Sequence, residues 1–195
     1  MPSILALDLS TKSTGWALWT GESERPVSGT WALANAMTDH GMVFMKLHQR
    51  MNDLYTVSPF EFVLYEEPLN LGPGSGVTNK DTIHSLIGLA AHVDSFCAAK
   101  RVRKCRSINQ SSWRRHFLGP MKRGTKSKTL KEYALERCAQ LGLSPSKHDE
   151  AEALGILSYA CAMENIVPPW ERDEVLRQPL GTAMIRAPHN SPEAS

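Results

Sequence analysis

The sequence predicts an α/β domain built on a mixed five-stranded sheet, an antiparallel meander extended by parallel strands, with helices on its flanks. Three observations predict it. Up to Leu33 the chain holds three short apolar or alternating runs separated by the turn residues Ser10-Thr11-Lys12-Ser13 and Gly21-Glu22, the pattern of a meander. From Met42 onward two further strand-like runs alternate with runs of helical periodicity, the pattern of parallel crossover units. The chain has 195 residues, 42% of them hydrophobic, enough for one sizeable core. One domain over residues 1–166 and a tail over 167–195 are therefore expected.

Residues 3–9 read as a central strand. Ile4, Ala6 and Asp8 share one face, Leu5, Leu7 and Leu9 the other, and both faces are largely apolar. Thr14 to Trp19 and Val27 to Leu33 complete the meander. Met42, Phe44, Met45, Leu47, His48, Met51 and Leu54 mark a helix. Phe60 to Glu66 is a fourth strand. Asn70 to Thr78 is a loop rich in glycine and proline that lacks the G-x-x-x-x-G-K-[ST] spacing of a P-loop. A long helix from about Lys80 to Lys100 carries the stripe Ile83, Leu86, Ile87, Leu89, Ala90, Val93, Phe96 and Cys97, a candidate surface for a second copy of the chain. Val102 to Ile108 reads as the last strand. The rest is helical: a short element around Trp113, one from about Ser127 to Leu141, and one from about Lys147 to Asn165. Pro168-Pro169 stops the last helix, and the tail beyond is poor in apolar residues.

Composition narrows the function classes. No run of eighteen apolar residues is present, so no membrane-spanning helix is expected. The chain enters its first strand directly, without the pattern of a signal segment. Cys97, Cys105, Cys138 and Cys161 form no CxxC pair and no zinc spacing, and they read as reduced thiols of a cytoplasmic protein. The formal net charge is only +2, but it is unevenly spread. Ser95 to Lys131 contains no Asp or Glu and holds twelve of the 22 basic residues. Arg103, Arg114, Arg115, Lys126, Lys128 and Lys131 lie in it and are the candidate phosphate contacts of a polyanion.

Four acids stand where a carboxylate is awkward for folding. Asp8 and Glu66 end apolar strands; Asp149 and Glu152, three apart, share one face of an apolar helix. A carboxylate near a core is costly unless it is paired or binds a metal, and oxygen ligands suit hard divalent cations. If the two strands are neighbours, Asp8 and Glu66 face each other and a proton or cation must compensate. Two divalent ions about 4 Å apart could then serve phosphodiester hydrolysis. A plainer account exists for Asp149 and Glu150, since acids favour a helix N-terminus, but it does not cover Asp8 or Glu66. Glu67 adjoins Glu66 and points the other way; Glu66 is preferred because it shares parity with Leu64 as Asp8 does with Ala6.

The stretch Ile4-Leu5-Ala6-Leu7-Asp8-Leu9-Ser10-Thr11-Lys12-Ser13-Thr14-Gly15-Trp16-Ala17 resembles the opening of RuvC-type Holliday junction resolvases, in their phage and prophage branch. Tyr65-Glu66-Glu67-Pro68 resembles their second acidic strand, and Asp149-Glu150-Ala151-Glu152-Ala153-Leu154 their closing helix. The resemblance runs from about residue 3 to 163. It implies an RNase H-like fold and a Mg²⁺-dependent endonuclease, with Mn²⁺ as a substitute. It also implies a homodimer that cuts paired strands of a four-way DNA junction, with Asp8, Glu66, Asp149 and Glu152 as its catalytic and metal-binding residues. A lysine near the cleaved phosphate, Lys128 or Lys131, is implied as well. Two departures stand out: Leu9-Ser10 replaces Pro-Gly, and Glu152 replaces the second Asp of the helix motif. Two other classes compete. An actin- or sugar-kinase-like ATPase shares an Asp-x-Gly-Thr strand ending close to Asp8-Leu9-Ser10-Thr11, but it needs a second such domain and has no use for Asp149 and Glu152. A catalytically silent DNA-binding relative has no use for the acidic quartet.

Overall fold

A computed structural model describes residues 1–35, 37–68, 80–172 and 179–181. Five strands form one sheet: β1 (Ile4–Asp8), β2 (Thr14–Trp19), β3 (Val27–Trp31), β4 (Phe62–Glu66) and β5 (Lys104–Ile108). Their order is β3-β2-β1-β4-β5. β1, β2 and β3 pair antiparallel, whereas β4 runs parallel to β1 and β5 parallel to β4. The mixed five-stranded α/β architecture is the expected one. Both crossovers pass through helices, α1 (His40–Val57) before β4 and α2 (Lys80–Lys100) before β5. Three more helices follow: α3 (Gln110–Leu118), α4 (Ser127–Gln140) and α5 (His148–Met163).

Strand alternation sorts the core into two layers. Leu5, Leu7, Val63 and Tyr65 face α1 and α2 and pack with Leu47, Met51, Leu89, Val93 and Phe96. Ile4, Ala6, Phe62 and Leu64 face the other way, among Trp113, Phe117, Ala134, Ala151 and Leu154 of α3, α4 and α5. The apolar residues of β1 are wholly buried because both faces are covered. Asp8 and Glu66 belong by parity to the α3–α5 layer.

α5 is the element that closes this layer. Its residues from Glu150 to Ser158 are all buried, the mark of a helix enclosed on all sides. Small residues allow that. A Cβ on Gly155 would lie 2.8 Å from both the Phe117 and Trp113 rings, so glycine lets α3 seat directly on α5.

One sequence expectation changes in three dimensions. The α2 stripe offered as a dimer surface is largely spent inside the domain, with Leu89, Ala90, Val93, Phe96 and Cys97 buried in the α1–α2 layer. What α2 leaves outside is Ile87, 51% exposed. Beyond α5 the described residues of the tail pack on the domain. A 3-10 turn at Pro169–Glu171 brings the Trp170 ring edge-on to Trp19 at 5.4 Å, burial that a large aromatic gains on an apolar wall. Leu180 also packs on the α3–α5 layer, and the Gly181 N–H donates to Glu136 Oε2 at 2.7 Å. The rest of the tail and the loop from Asn70 to Thr78 lie outside the described residues. No described helix is long and apolar enough to cross a membrane. All four cysteines are free, with Cys97, Cys138 and Cys161 buried. Burial pushes the Cys138 and Cys161 thiols up to about 12, so both stay protonated.

Candidate active site

Parallel pairing places the acids together. Leu7 on β1 is in register with Tyr65 on β4, so the next residues, Asp8 and Glu66, end side by side at the sheet's carboxyl edge. On the other flank Asp8 pairs with Gly15 of β2. The first turn of α5 arrives over this edge. Asp8, Asp149 and Glu152 each offer a carboxylate oxygen, and these oxygens all lie within 4.8 Å of one another.

Gly15 makes that approach possible. A Cβ there would sit 1.9 Å from the Asp149 carbonyl oxygen and 2.4 Å from its carbon. No side chain fits, and only a bare backbone lets α5 descend onto β2 so that Asp149 reaches Asp8.

Neighbouring acids are sorted by helix geometry. Glu150 points away from the cluster and is 6% exposed. It accepts from Ser28 Oγ at 2.8 Å, the Ser146 N–H at 2.8 Å and Ser146 Oγ at 2.9 Å. This carboxylate therefore pins the start of α5 to β3 and to its own preceding turn. Glu67 is exposed, as its opposite parity requires.

Glu66 is held by α3. Its Oε1 accepts from Gln110 Nε2 at 2.7 Å and its Oε2 from Trp113 Nε1 at 2.8 Å. Arg114, one residue on, donates from Nη2 to Glu152 Oε1 at 2.5 Å. Gln110, Trp113 and Arg114 fall at i, i+3 and i+4, one face of one helix. That face therefore orients two carboxylates from two other elements. The roles of Gln110 and Trp113 went unread in the sequence, although an Asn109 N-cap followed by polar groups at this spacing was a usable signal.

Two cations balance the acids. Lys131 of α4 donates from Nζ to Asp149 Oδ1 at 2.9 Å and lies 3.3 Å from Glu152 Oε2. Arg114 is the second, with a side chain 12% exposed. Burial alone pulls Lys131 down, but the bond to Asp149 and the charge of Glu152 together outweigh it and raise its pKa. Burial raises Asp8 well above the ordinary carboxylate range, and the charges of Glu152, Glu66 and Asp149 add to that; Lys131 opposes it. Burial also raises Glu66, against the hydrogen bond from Trp113 and the charge of Arg114. Burial and the crowded carboxylates thus favour a proton or a cation at Asp8.

The remaining basic candidates separate. Lys126 and Lys128 are exposed at the start of α4, the end that carries Lys131 toward the acids. Arg115 is exposed beside Arg114. Arg103 is elsewhere: it precedes β5 and lies 3.9 Å from Glu164, the C-cap of α5. Asp149 and Glu152 sit toward the other end of that helix, roughly 18–22 Å along it at 1.5 Å per residue.

Comparison with known proteins adds the fold. No family model and no curated protein matches the sequence. Solved structures do match. Thermus thermophilus RuvC in complex with a Holliday junction substrate superposes with a TM-score of 0.61 at 12% identity, covering 84% of this chain and 96% of that one. A second Thermus thermophilus RuvC structure gives 0.62 at 16% identity, over 86% and 99%. The yeast mitochondrial Holliday junction resolvase gives 0.56 at 13% identity, over 80% and 75%. The chain has the RuvC fold. That is an RNase H-like architecture, and it extends over nearly the whole of both bacterial structures.

Proposed function

We propose that this protein is a Mg²⁺-dependent, structure-selective endonuclease that hydrolyses phosphodiester bonds in branched DNA, and that a homodimer of it resolves four-way junctions by paired nicks. The observation that carries this reading is the convergence of Asp8, Asp149 and Glu152 within 4.8 Å at the carboxyl edge of a RuvC-type sheet. Glu66 stands beside them as the fourth carboxylate, its orientation held by Gln110 and Trp113. Carboxylates each keep lone pairs beyond the bonds they accept here. The donor set is all oxygen and its charge is only partly offset by Lys131 and Arg114, which suits a hard divalent cation. Such a cation, when bound, lowers the pKa of a water and draws charge from a phosphoryl oxygen.

The protein's own groups do the rest. Lys131 and Arg114 stand at the rim of the acids as fixed positive charge, where negative charge grows on a phosphate under attack. Asp8, Asp149 and Glu152 would hold such a cation, which would supply the positive charge that burial and the neighbouring acids make Asp8 need. Lys126, Lys128 and Arg115, exposed around the same end, hold flanking phosphates. In the reaction a water oxygen bonds to phosphorus while the bond from phosphorus to a sugar oxygen breaks. The ATPase alternative leaves Asp149 and Glu152 without a task, although they lie against Asp8. The supporting experiment sets synthetic four-way junctions, forks, flaps and plain duplex side by side with Mg²⁺, and runs an ATPase assay in parallel. Preferred cutting of the junction, at paired positions, is expected. ATP hydrolysis without cutting would overturn the proposal.

A further inference from the structure

The seam between α1 and α2 lies on the other side of the sheet from the α3–α5 layer, and it gathers four of the chain's seven histidines. His40, Phe44 and His48 recur every four residues on α1, and His84, Gly88 and His92 do so on α2, so each set runs along one helix face. The two sets meet pairwise. His40 meets His84 with ring centroids 4.8 Å apart, Phe44 meets Gly88, and His48 meets His92. Gly88 permits the approach: a Cβ there would lie 2.2 Å from Phe44 Cζ, and its absence leaves room for that ring on α2.

The two histidine pairs differ in chemistry. His40 Nδ1 lies 3.1 Å from Ser85 Oγ and is engaged there. In the other pair two ring nitrogens face each other, His48 Nε2 and His92 Nδ1, 3.0 Å apart. Neighbouring rings hold both in place. His92 stacks on Phe44 at 4.6 Å, and His48 meets Phe96 edge-on at 5.8 Å. Both histidines are half-buried, so one side of the pair stays open to water. Burial lowers the His48 pKa, and the charge of His92 adds to that; the neutral ring is the form that binds a metal. Two metal–nitrogen bonds of about 2.0–2.1 Å, at any angle from square to tetrahedral, hold their nitrogens about 2.8–3.4 Å apart. The observed separation of 3.0 Å falls within that span. The outer torsion of a histidine is soft, so both lone pairs can turn to one point beside the line between the nitrogens.

We infer that His48 Nε2 and His92 Nδ1 bind a divalent transition metal of the class of Zn²⁺, Ni²⁺ and Cu²⁺, which staples α1 to α2. Imidazole nitrogen suits these ions, whereas the all-oxygen donor set of the acids suits a harder cation. The two places are thus separated by ligand type as well as by the sheet. Water completes the coordination, as it does where the protein supplies fewer than four ligands. Without the metal, one ring donates an N–H to the other. On binding, that ring passes the proton through water to its second nitrogen, so both facing nitrogens are free and no net proton is lost. Two coordinate bonds then replace one hydrogen bond. A metal held only by the folded chain raises its stability by mass action.

The test uses the full chain without a purification tag, stripped of metal and carrying Asp8→Asn to weaken binding at the acids. Cu²⁺ at one equivalent is read by electron paramagnetic resonance, whose hyperfine pattern counts the ligating nitrogens. Two imidazole nitrogens are expected. His48→Phe and His92→Phe keep an aromatic ring on the seam and should each remove that signal, whereas His84→Phe should leave it. Zn²⁺ in excess should raise the melting temperature by on the order of 5 °C, and His92→Phe should cancel the rise. Melting in EDTA checks that each variant folds, and His48→Gln and His92→Gln replace any ring variant that does not. Absence of a two-nitrogen signal in the Asp8→Asn chain, or its survival when His48 and His92 are each replaced, would overturn the inference. So would its loss in His84→Phe protein while His92→Phe protein keeps it. None of these outcomes bears on the nuclease reading.

Discussion

Replacing Gly15 by alanine is the sharpest perturbation of the site that touches none of its side chains. The added Cβ would lie 1.9 Å from the Asp149 carbonyl oxygen and 3.1 Å from the Glu150 nitrogen, both backbone atoms of the first turn of α5. Neither can rotate away. The carbonyl must retreat by roughly 1 Å before the contact becomes even a tight one, for closely packed interiors do not absorb an extra methyl by compression. β2 cannot yield instead, because Gly15 is paired with Asp8 on one side and Thr30 on the other. α5 therefore tilts outward at its N-terminus and carries Asp149 and Glu152 with it. A displacement of ~1 Å in a catalytic constellation costs on the order of 10²-fold in rate. The overpacking costs a further ~1–3 kcal/mol of stability. The assay is single-turnover junction cleavage, with Mg²⁺ affinity by calorimetry and thermal melting on the same samples. Gly41→Ala is the control: its Cβ would meet only Asp39 Oδ1 at 3.4 Å, so it should leave cleavage unchanged and add about 0.4–1 kcal/mol of stability. Wild-type cleavage and wild-type Mg²⁺ affinity in Gly15→Ala protein would refute the idea that backbone contact between β2 and α5 sets the acids.

Asp8→Asn should abolish cleavage, retain junction binding and raise the melting temperature of the metal-free protein. The sign follows from the raised carboxyl: its stabilising, protonated form persists below the ordinary value of 3.8 and is lost as pH climbs through the raised folded value, so the wild-type metal-free fold weakens with rising pH over that window and the variant does not. A variant that melts at or below the wild-type temperature at neutral pH would contradict this. For the same reason Mg²⁺ affinity should increase with pH, since entry of the cation expels the Asp8 proton; calorimetry in buffers of different ionisation heat would show no proton release if the cluster were not the site. Glu66→Gln should impair cleavage far more than Glu67→Gln, and the reverse order would show that parity misassigned the pair. Lys128→Ala should lower the slope of log affinity against log salt by about one unit at near-normal single-turnover rate. Lys131→Ala, by contrast, should slow cleavage more than it weakens binding; equal effects of the two substitutions would show that Lys131 does not act at the cleaved phosphate.

The order of strands and helices was legible in the sequence because periodicity is a local property, written wherever an element buries a face. The four acids were legible for a related reason. Asp8 and Glu66 interrupt apolar strands, and Asp149 and Glu152 share a helix face, so each is conspicuous in its own segment. Parity also set Glu66 toward α3 and Glu67 toward solvent. What the sequence could not carry is which surfaces meet. The α2 stripe reads the same whether it covers a sheet or a second copy of the chain, and only the packing of α1 and α2 on β1 and β4 assigned Leu89, Val93 and Phe96 to the interior. Arg114 and Lys131 looked alike as members of a basic stretch. Tertiary structure set both on Glu152 and sent Arg103 to the far end of α5. Gly15 was visible only as part of a family-like motif, and its reason, an Asp149 carbonyl 134 positions later pressed where a Cβ would stand, exists only once α5 crosses β2. Side-chain type and spacing are encoded along the chain, whereas pairing depends on distances between segments far apart in it, which the folded arrangement alone decides.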